Sequence, residues 1–239
     1  MKLTLFKVLF LALFFQQTLT RAIEEVNEEV NEVSLNKRAL PKTWKCNQHK
    51  LCSKAKSHVG SDKWSYKKER TAAKNKNVKF GKNEYKCNLF VYEMLLDIGI
   101  DIETPNSSGL IFKSPRPPTT TEWKNYKGKI KTYFEEVKGG RKDSLPGDIV
   151  VIVNKDTKHV GIVSKIDKDD GKKKKKTKNE AKLTISASAL KNDNNYKVVN
   201  NAWGFRRGDD EKGVKFYRLK DKYLKKMVSY YTNSDPVLA

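Results

Sequence analysis

Three cysteines and three histidines are the residues of this 239-residue chain best suited to covalent chemistry, and their spacing sorts them into groups. Cys46, His49 and Cys52 share the short run WKCNQHKLC, where Cys46 and Cys52 are close enough to pair. Cys87 is then left as an odd thiol, and in an oxidising compartment an odd thiol needs a reason. It stands just ahead of Asn88-Leu89-Phe90-Val91-Tyr92-Glu93-Met94-Leu95-Leu96, which reads as an apolar helix. Far downstream His159 opens the strand-like HVGIV. A cysteine at a helix start and a remote histidine on a strand are how a thiol hydrolase assembles its nucleophile and base. The amides and positive end of a helix stabilise a thiolate, a nearby imidazolium adds to this, and Lys86 sits beside the thiol. The competing reading is an inert core cysteine, packed as a small hydrophobe. Its position before the apolar face, rather than on it, favours the nucleophile.

His159 is the natural base, because it begins a strand after a polar turn. Its ring can reach a cleft edge while Val160 and Ile162 fill the core. His58 is also a possible base, but it lies ahead of the cysteine. His49 with Cys46 and Cys52 supplies only three ligands of a metal site, so a disulfide is the simpler reading. No metal and no organic cofactor is implied.

The elements that must position these groups follow from apolar periodicity. A first helix is expected over 51–58. The Cys87 helix is the clearest element, with Phe90, Val91, Met94, Leu95 and Ile98 at helical spacing and Gly99 as its stop. Residues 104–122 hold Pro105, Pro115, Pro117, Pro118 and a threonine triplet, a composition that excludes regular helix. Residues 129–137 are ambiguous between helix and strand. Leu145-Pro146-Gly147-Asp148 is a turn, 149–153 a buried strand, and 159–164 its antiparallel hairpin partner. Three more strands are expected at 183–188, 197–201 and 214–219. Helix first and antiparallel sheet afterwards makes the fold class α+β. Residues 167–182, with lysines at every position from 172 to 176, read as a solvated loop between strands.

The amino terminus reads as targeting sequence. Lys2 and Lys7 precede an apolar run over 8–15 and a small residue at Ala22, which defines a signal peptide over 1–22. The run is too short for a membrane span, and no later stretch is apolar enough to cross a bilayer. Residues 23–38 contain EEVNEEVNEV and close on Lys37-Arg38, so they read as an acidic propeptide or leader. These two pieces carry five basic and five acidic residues together, so the remainder keeps the full net charge of +22. Residues 39–239 fit one domain with one core. Such a field favours anionic polymers in general, with no basis here for specific nucleic-acid binding, and it leaves the oligomeric state open.

Three of these pieces together carry a family resemblance. Tyr85-Lys86-Cys87-Asn88-Leu89-Phe90-Val91, Pro146-Gly147-Asp148-Ile149-Val150 and His159-Val160-Gly161-Ile162-Val163, in this order, resemble the NlpC/P60 and CHAP superfamily of papain-like peptidoglycan hydrolases. The resemblance spans roughly 59–219 and implies a papain-like α+β core, with the cysteine helix packed on an antiparallel sheet. It implies hydrolysis of amide bonds in bacterial cell-wall peptides, either as an endopeptidase or as an amidase, by a secreted extracellular enzyme. Many relatives hold the catalytic imidazole with a residue on the following strand. Ser186 falls there in this chain, while Asn200 or Asn201, ahead of Ala202-Trp203-Gly204, can offer an amide carbonyl instead. Relatives also place a substrate-contacting loop before the cysteine, which assigns Trp64 and Tyr66 to a cleft wall and Asp62 to a substrate amine.

Two other functions fit the same residues. A papain-like acyltransferase or thioesterase keeps the fold and changes the substrate. A non-catalytic basic module binds anionic wall polymers or glycans through its lysines. Asn106-Ser107-Ser108 has the form of an N-glycosylation acceptor. If the acidic leader is removed at its dibasic end, amino-terminal sequencing of the secreted protein will read from Ala39; a stable, active form beginning at Ile23 would show that the leader is retained.

Overall fold

The computed structural model describes residues 16–17, 19–21, 42–104, 116–155, 157–165, 183–187, 196–201 and 213–228. The chain divides into two compact units, Met1–Pro41 and Lys42–Ala239. In the first unit residues 16, 17 and 19–21 are helical. The apolar run of the signal peptide, the acidic leader, Asn106, the lysine-rich loop and the Trp203 segment lie outside the described residues.

The second unit is α+β. A 3-10 turn (Cys46–Gln48) leads into α1 (Lys50–Lys56), and a small antiparallel pair, β1 (Arg70–Thr71) and β2 (Lys79–Phe80), precedes α2 (Cys87–Leu96). Two short helices follow, α3 (Thr120–Asn125) and α4 (Lys129–Tyr133). The sheet strands are β3 (Phe134–Glu136), β4 (Ile149–Val153), β5 (Lys158–Lys165), β6 (Leu183–Ala187), β7 (Val198–Asn201) and β8 (Val214–Leu219), and α5 (Asp221–Met227) closes the described chain. The six strands form one sheet in the order β3-β8-β4-β5-β6-β7, with every neighbouring pair antiparallel.

Burial explains the order. All five residues of β4 (IVVIV) are buried, as are the six inner residues of β5, so these central strands are covered on both faces. They read as continuous apolar runs for that reason. At Gly161 an added Cβ would fall 2.5 Å from Thr184 Cγ2 and 2.9 Å from the Ile185 carbonyl, so β6 can lie this close to β5 only across a glycine.

The most consequential element is α2. Its apolar residues sit at helical spacing, yet the structure buries every residue from Leu89 to Leu95 as well as Cys87. A helix covered all round must bury Glu93 too, and that carboxylate is fully engaged. It accepts from Trp64 Nε1 at 2.7 Å, from the Arg70 guanidinium and from the Ala73 amide. Arg70 in turn lies over the Trp64 ring, 4.6 Å from its centroid. The loop before α2 is thereby tied to the middle of the helix.

Three expectations change. Residues 120–122 are helical: Thr119 caps α3 by accepting from the Glu122 amide, Glu122 returns to the Thr119 amide, and Arg116 grips Glu122 with both terminal nitrogens. A threonine before a glutamate three residues on is a capping box, which overrides the turn signal of the preceding prolines. The ambiguous 129–137 stretch is both, with α4 giving way to β3 at Phe134. The β1–β2 pair and α5 carry too little periodicity to be read from sequence.

Replacing Glu93 with alanine leaves Arg70 and the Trp64 indole without their acceptor and is expected to cost about 3 kcal/mol, read as a lowered urea midpoint. Glutamine should cost less, since it keeps an acceptor.

Candidate active site

Cys87 is the first residue of α2 and the only free cysteine; Cys46 and Cys52 form a disulfide. Its thiol is buried, with 3% of the residue exposed, and burial raises its pKa from 9.0 to about 11. Backbone amides of Val160, Asn88 and Cys87 itself act in the opposite direction, favouring the thiolate, but burial outweighs them. The Val160 amide matters most for placement. It belongs to the residue after His159, so the helix start and the histidine-bearing strand meet at this point.

Lys86 does not supply the positive charge expected from its position. Its side chain is buried and its ammonium donates to the carbonyls of Gly81 at 2.8 Å and Glu84 at 3.0 Å. Burial lowers its pKa. The lysine anchors the turn that delivers Cys87.

His159 is buried as well, 5% exposed, instead of standing at an open cleft edge. Burial pushes its imidazole down to about 3, so it is neutral across the physiological range. The groups that favour the Cys87 thiolate are the amides of Val160, Asn88 and Cys87. The Val160 amide brings the thiol to the strand that carries His159, and burial leaves both groups uncharged.

Strand register decides among the orienting candidates. Ile162 pairs with Ile185 and Val163 with Thr184, so Gly161 stands opposite Ser186, whose Cβ would lie 3.1 Å from a Cβ at Gly161. His159, two residues before Gly161, shares that face, and Ser186 is its diagonal cross-strand neighbour, at about 7–8 Å between Cα atoms. An imidazole can span that gap. Asn201 pairs with Thr184, two strands from β5 and level with Val163. That puts it on the order of 16 Å from the His159 Cα, beyond the reach of both side chains. Asn200 is on the other face of β7, where its Oδ1 accepts from Ser164 Oγ at 2.6 Å. Of the three candidates, Ser186 alone is placed to meet His159.

The expected substrate residues divide. Trp64 is a core residue, 3% exposed, edge-on to Phe90 with its indole N–H held by Glu93, so it lines no cleft. Asp62 is exposed and paired with Lys68, whose hydrogen bond lowers its pKa. Tyr66 is half-buried against Tyr85, with ring centroids 5.0 Å apart, and Tyr196, at 5.9 Å. His58 packs edge-on against Trp64, with ring centroids 5.1 Å apart.

His49 has a structural task that its sequence context did not reveal. Its ring lies against Gly147, where an added Cβ would come within 2.4 Å of the imidazole, and φ at Gly147 is +96°. Trp44 stacks beside it and donates to the Pro146 carbonyl at 2.6 Å. On the same turn Asp148 accepts from the Leu145 amide and from Arg218. The disulfide-closed segment therefore braces the PGD turn that launches β4. Among the described residues no group of three or more His, Cys, Asp or Glu side chains gathers as a metal site, and no helix is long and apolar enough to cross a membrane.

No protein-family model, no curated protein and no solved structure matches the chain.

Burial lowers the pKa of His49 from 6.5 to about 4, with the Arg218 charge adding to the effect. Between those values the unfolded chain binds a proton that the fold refuses, so stability is complete above pH 6.5 and falls as pH drops toward 4. Buried His159, lowered to about 3, acts in the same window and with the same sign, so urea unfolding at pH 7 and at pH 4.5 should differ by on the order of 5 kcal/mol, and His49→Gln should remove about half of that difference. An unchanged pH slope in that variant would count against His49 as its source.

Proposed function

We propose that this protein is a secreted cysteine hydrolase that cleaves amide bonds in bacterial peptidoglycan, with Cys87 as nucleophile, His159 as base and Ser186 as the group that holds the imidazole. The supporting observation is the convergence of the α2 start and the His159–Val160 step of β5 on one sulfur. The NlpC/P60-like order of the three motifs supports the substrate class, and the +22 charge suits a wall rich in anionic polymers.

The chemistry balances without a cofactor. Cys87 transfers its proton to His159 as the sulfur bonds to the amide carbonyl carbon. The imidazolium then protonates the departing amine, leaving a thioester. Water, deprotonated by the same imidazole, releases the acid and restores the thiol. The Cys87 and Asn88 amides at the helix start are the natural donors to the oxyanion. Burial keeps thiol and imidazole neutral in the free protein, so access of substrate and solvent must precede the attack, returning both groups toward their ordinary pKa values.

That same burial favours the second reading, a basic module that binds wall polymers and makes no covalent chemistry. Digestion of purified peptidoglycan with products read by mass spectrometry separates the two. New amines on stem peptides will mark an endopeptidase, and whole stems freed from the glycan an amidase. Cys87→Ala is expected to abolish the products, and His159→Ala to lower turnover by roughly 10²–10⁴-fold. Ser186→Ala should cost less than His159→Ala. Parent-level cleavage by Cys87→Ala would remove the mechanism, and no cleavage by the parent would leave the binding module.

A further inference from the structure

Three separated segments bring tyrosines together next to Cys87. Asn83 donates its amide to the Tyr66 carbonyl at 2.7 Å, while Gly60 and Ser61 exchange backbone hydrogen bonds with Val198 at 2.9 and 2.8 Å. These links draw the 60–66 loop, the 81–86 turn and the start of β7 into one place. Tyr66 then sits between Tyr85 and Tyr196, nearly parallel to Tyr196 at 18°. Lys67 Nζ lies 4.5 Å from the Tyr196 centroid.

This cluster has no packing reason to be on the surface. Tyr85 is 53% exposed, the most exposed aromatic ring among the large apolar side chains at the surface of the described residues. It is two residues from Cys87, whose sulfur meets β5 beside His159. The sheet register leads to the same end: Val198 pairs with Ala187, so β7 begins at the end of the sheet where β5 begins. The tyrosines therefore form a shelf at the Cys87–His159 end of the fold.

We propose that Tyr66, Tyr85 and Tyr196 form a carbohydrate subsite that takes the glycan strand of the substrate, with Lys67 beside it for the lactyl carboxylates of sugars that carry no stem peptide. The proposal rests on the peptidoglycan reading above and extends it from the peptide to the sugar. Flat amphipathic rings with a polar tip suit the apolar faces and hydroxyl rims of pyranoses. The surrounding charge selects the sugar type. Lys63, Lys67, Lys68, Lys82 and Lys197 are exposed around the shelf against Asp62, Glu69 and Glu84, so its balance stays positive, with Asp62 engaged by Lys68 and Glu84 accepting from the Gly81 amide. An acidic glycan is attracted there and a cationic one repelled.

Binding by the full-length secreted protein carrying Cys87→Ala tests the subsite apart from catalysis. The probes are peptide-free glycan strands prepared from peptidoglycan, a free stem peptide, and an oligothymidylate as a stacking anion that is not a sugar. Glycan strands should bind more tightly than the stem peptide. Tyr85→Ala should weaken that binding by about tenfold, and Tyr85→Phe by less than about twofold. Higher salt should weaken both the parent and the tyrosine variants by the same factor, since screening acts on the lysines and leaves ring stacking in place.

Tyr66→Ala and Tyr85→Ala proteins that fold normally by circular dichroism and bind glycan at the parent level would overturn the subsite. So would tighter, tyrosine-dependent binding of the oligothymidylate. If the parent protein cleaves nothing but the glycan binding and its tyrosine dependence hold, the hydrolase reading fails and the subsite stands.

Discussion

A helix covered on every side is the constraint from which most of this structure follows. Residues 89–95 of α2 have no solvent face, so the sheet, α1 and the preceding loop must all close on them. The cost falls on Glu93, whose charge inside the core would be prohibitive alone. Arg70, Trp64 and the Ala73 amide supply the compensation, and all three belong to the segment, β1 included, that leads to the helix. One carboxylate therefore couples the fold of an otherwise irregular loop to the position of the helix that carries Cys87.

The same enclosure shapes the chemistry. A helix start is an activating place for a thiol only when its field is not opposed by desolvation. Here the amides of Cys87, Asn88 and Val160 pull the pKa down and burial pulls it further up, leaving a protonated thiol. His159 is held neutral by the same cause. Burial and the protonated state both oppose attack on the thiol by small oxidants and alkylating agents. On the proposed hydrolase reading, reactivity is linked to whatever admits a substrate to the shared end of β5 and α2.

The amino-terminal end of the second unit is a brace for the sheet. Trp44 and His49 clasp the PGD turn, and Asp148 of that turn is bound by Arg218 from β8. The Cys46–Cys52 disulfide closes the segment that carries His49, just after Trp44. Gly147 combines a left-handed backbone with close contact to the His49 ring, two demands that no other residue meets together.

Much of the architecture was legible in the chain. The cysteine helix, the β4–β5 hairpin, the later strands and the Cys46–Cys52 pair follow from periodicity, turn chemistry and spacing, which act locally. The sequence also determined that Cys87 opens its helix and that Ser186 lies on the strand after His159. What only the tertiary structure decided is how each side chain is used. Trp64 went to the core because Glu93 needed a donor, and Lys86 turned to the carbonyls of Gly81 and Glu84 and away from the thiol. Asn201 was displaced from His159 because β6 and the register of two ladders intervene, a separation that sequence spacing cannot express. The tyrosine shelf was hidden for the same reason, since Tyr66, Tyr85 and Tyr196 belong to three segments that meet only through backbone pairing. Local pattern sets which element forms; burial and long-range pairing set which groups meet, and with what charge.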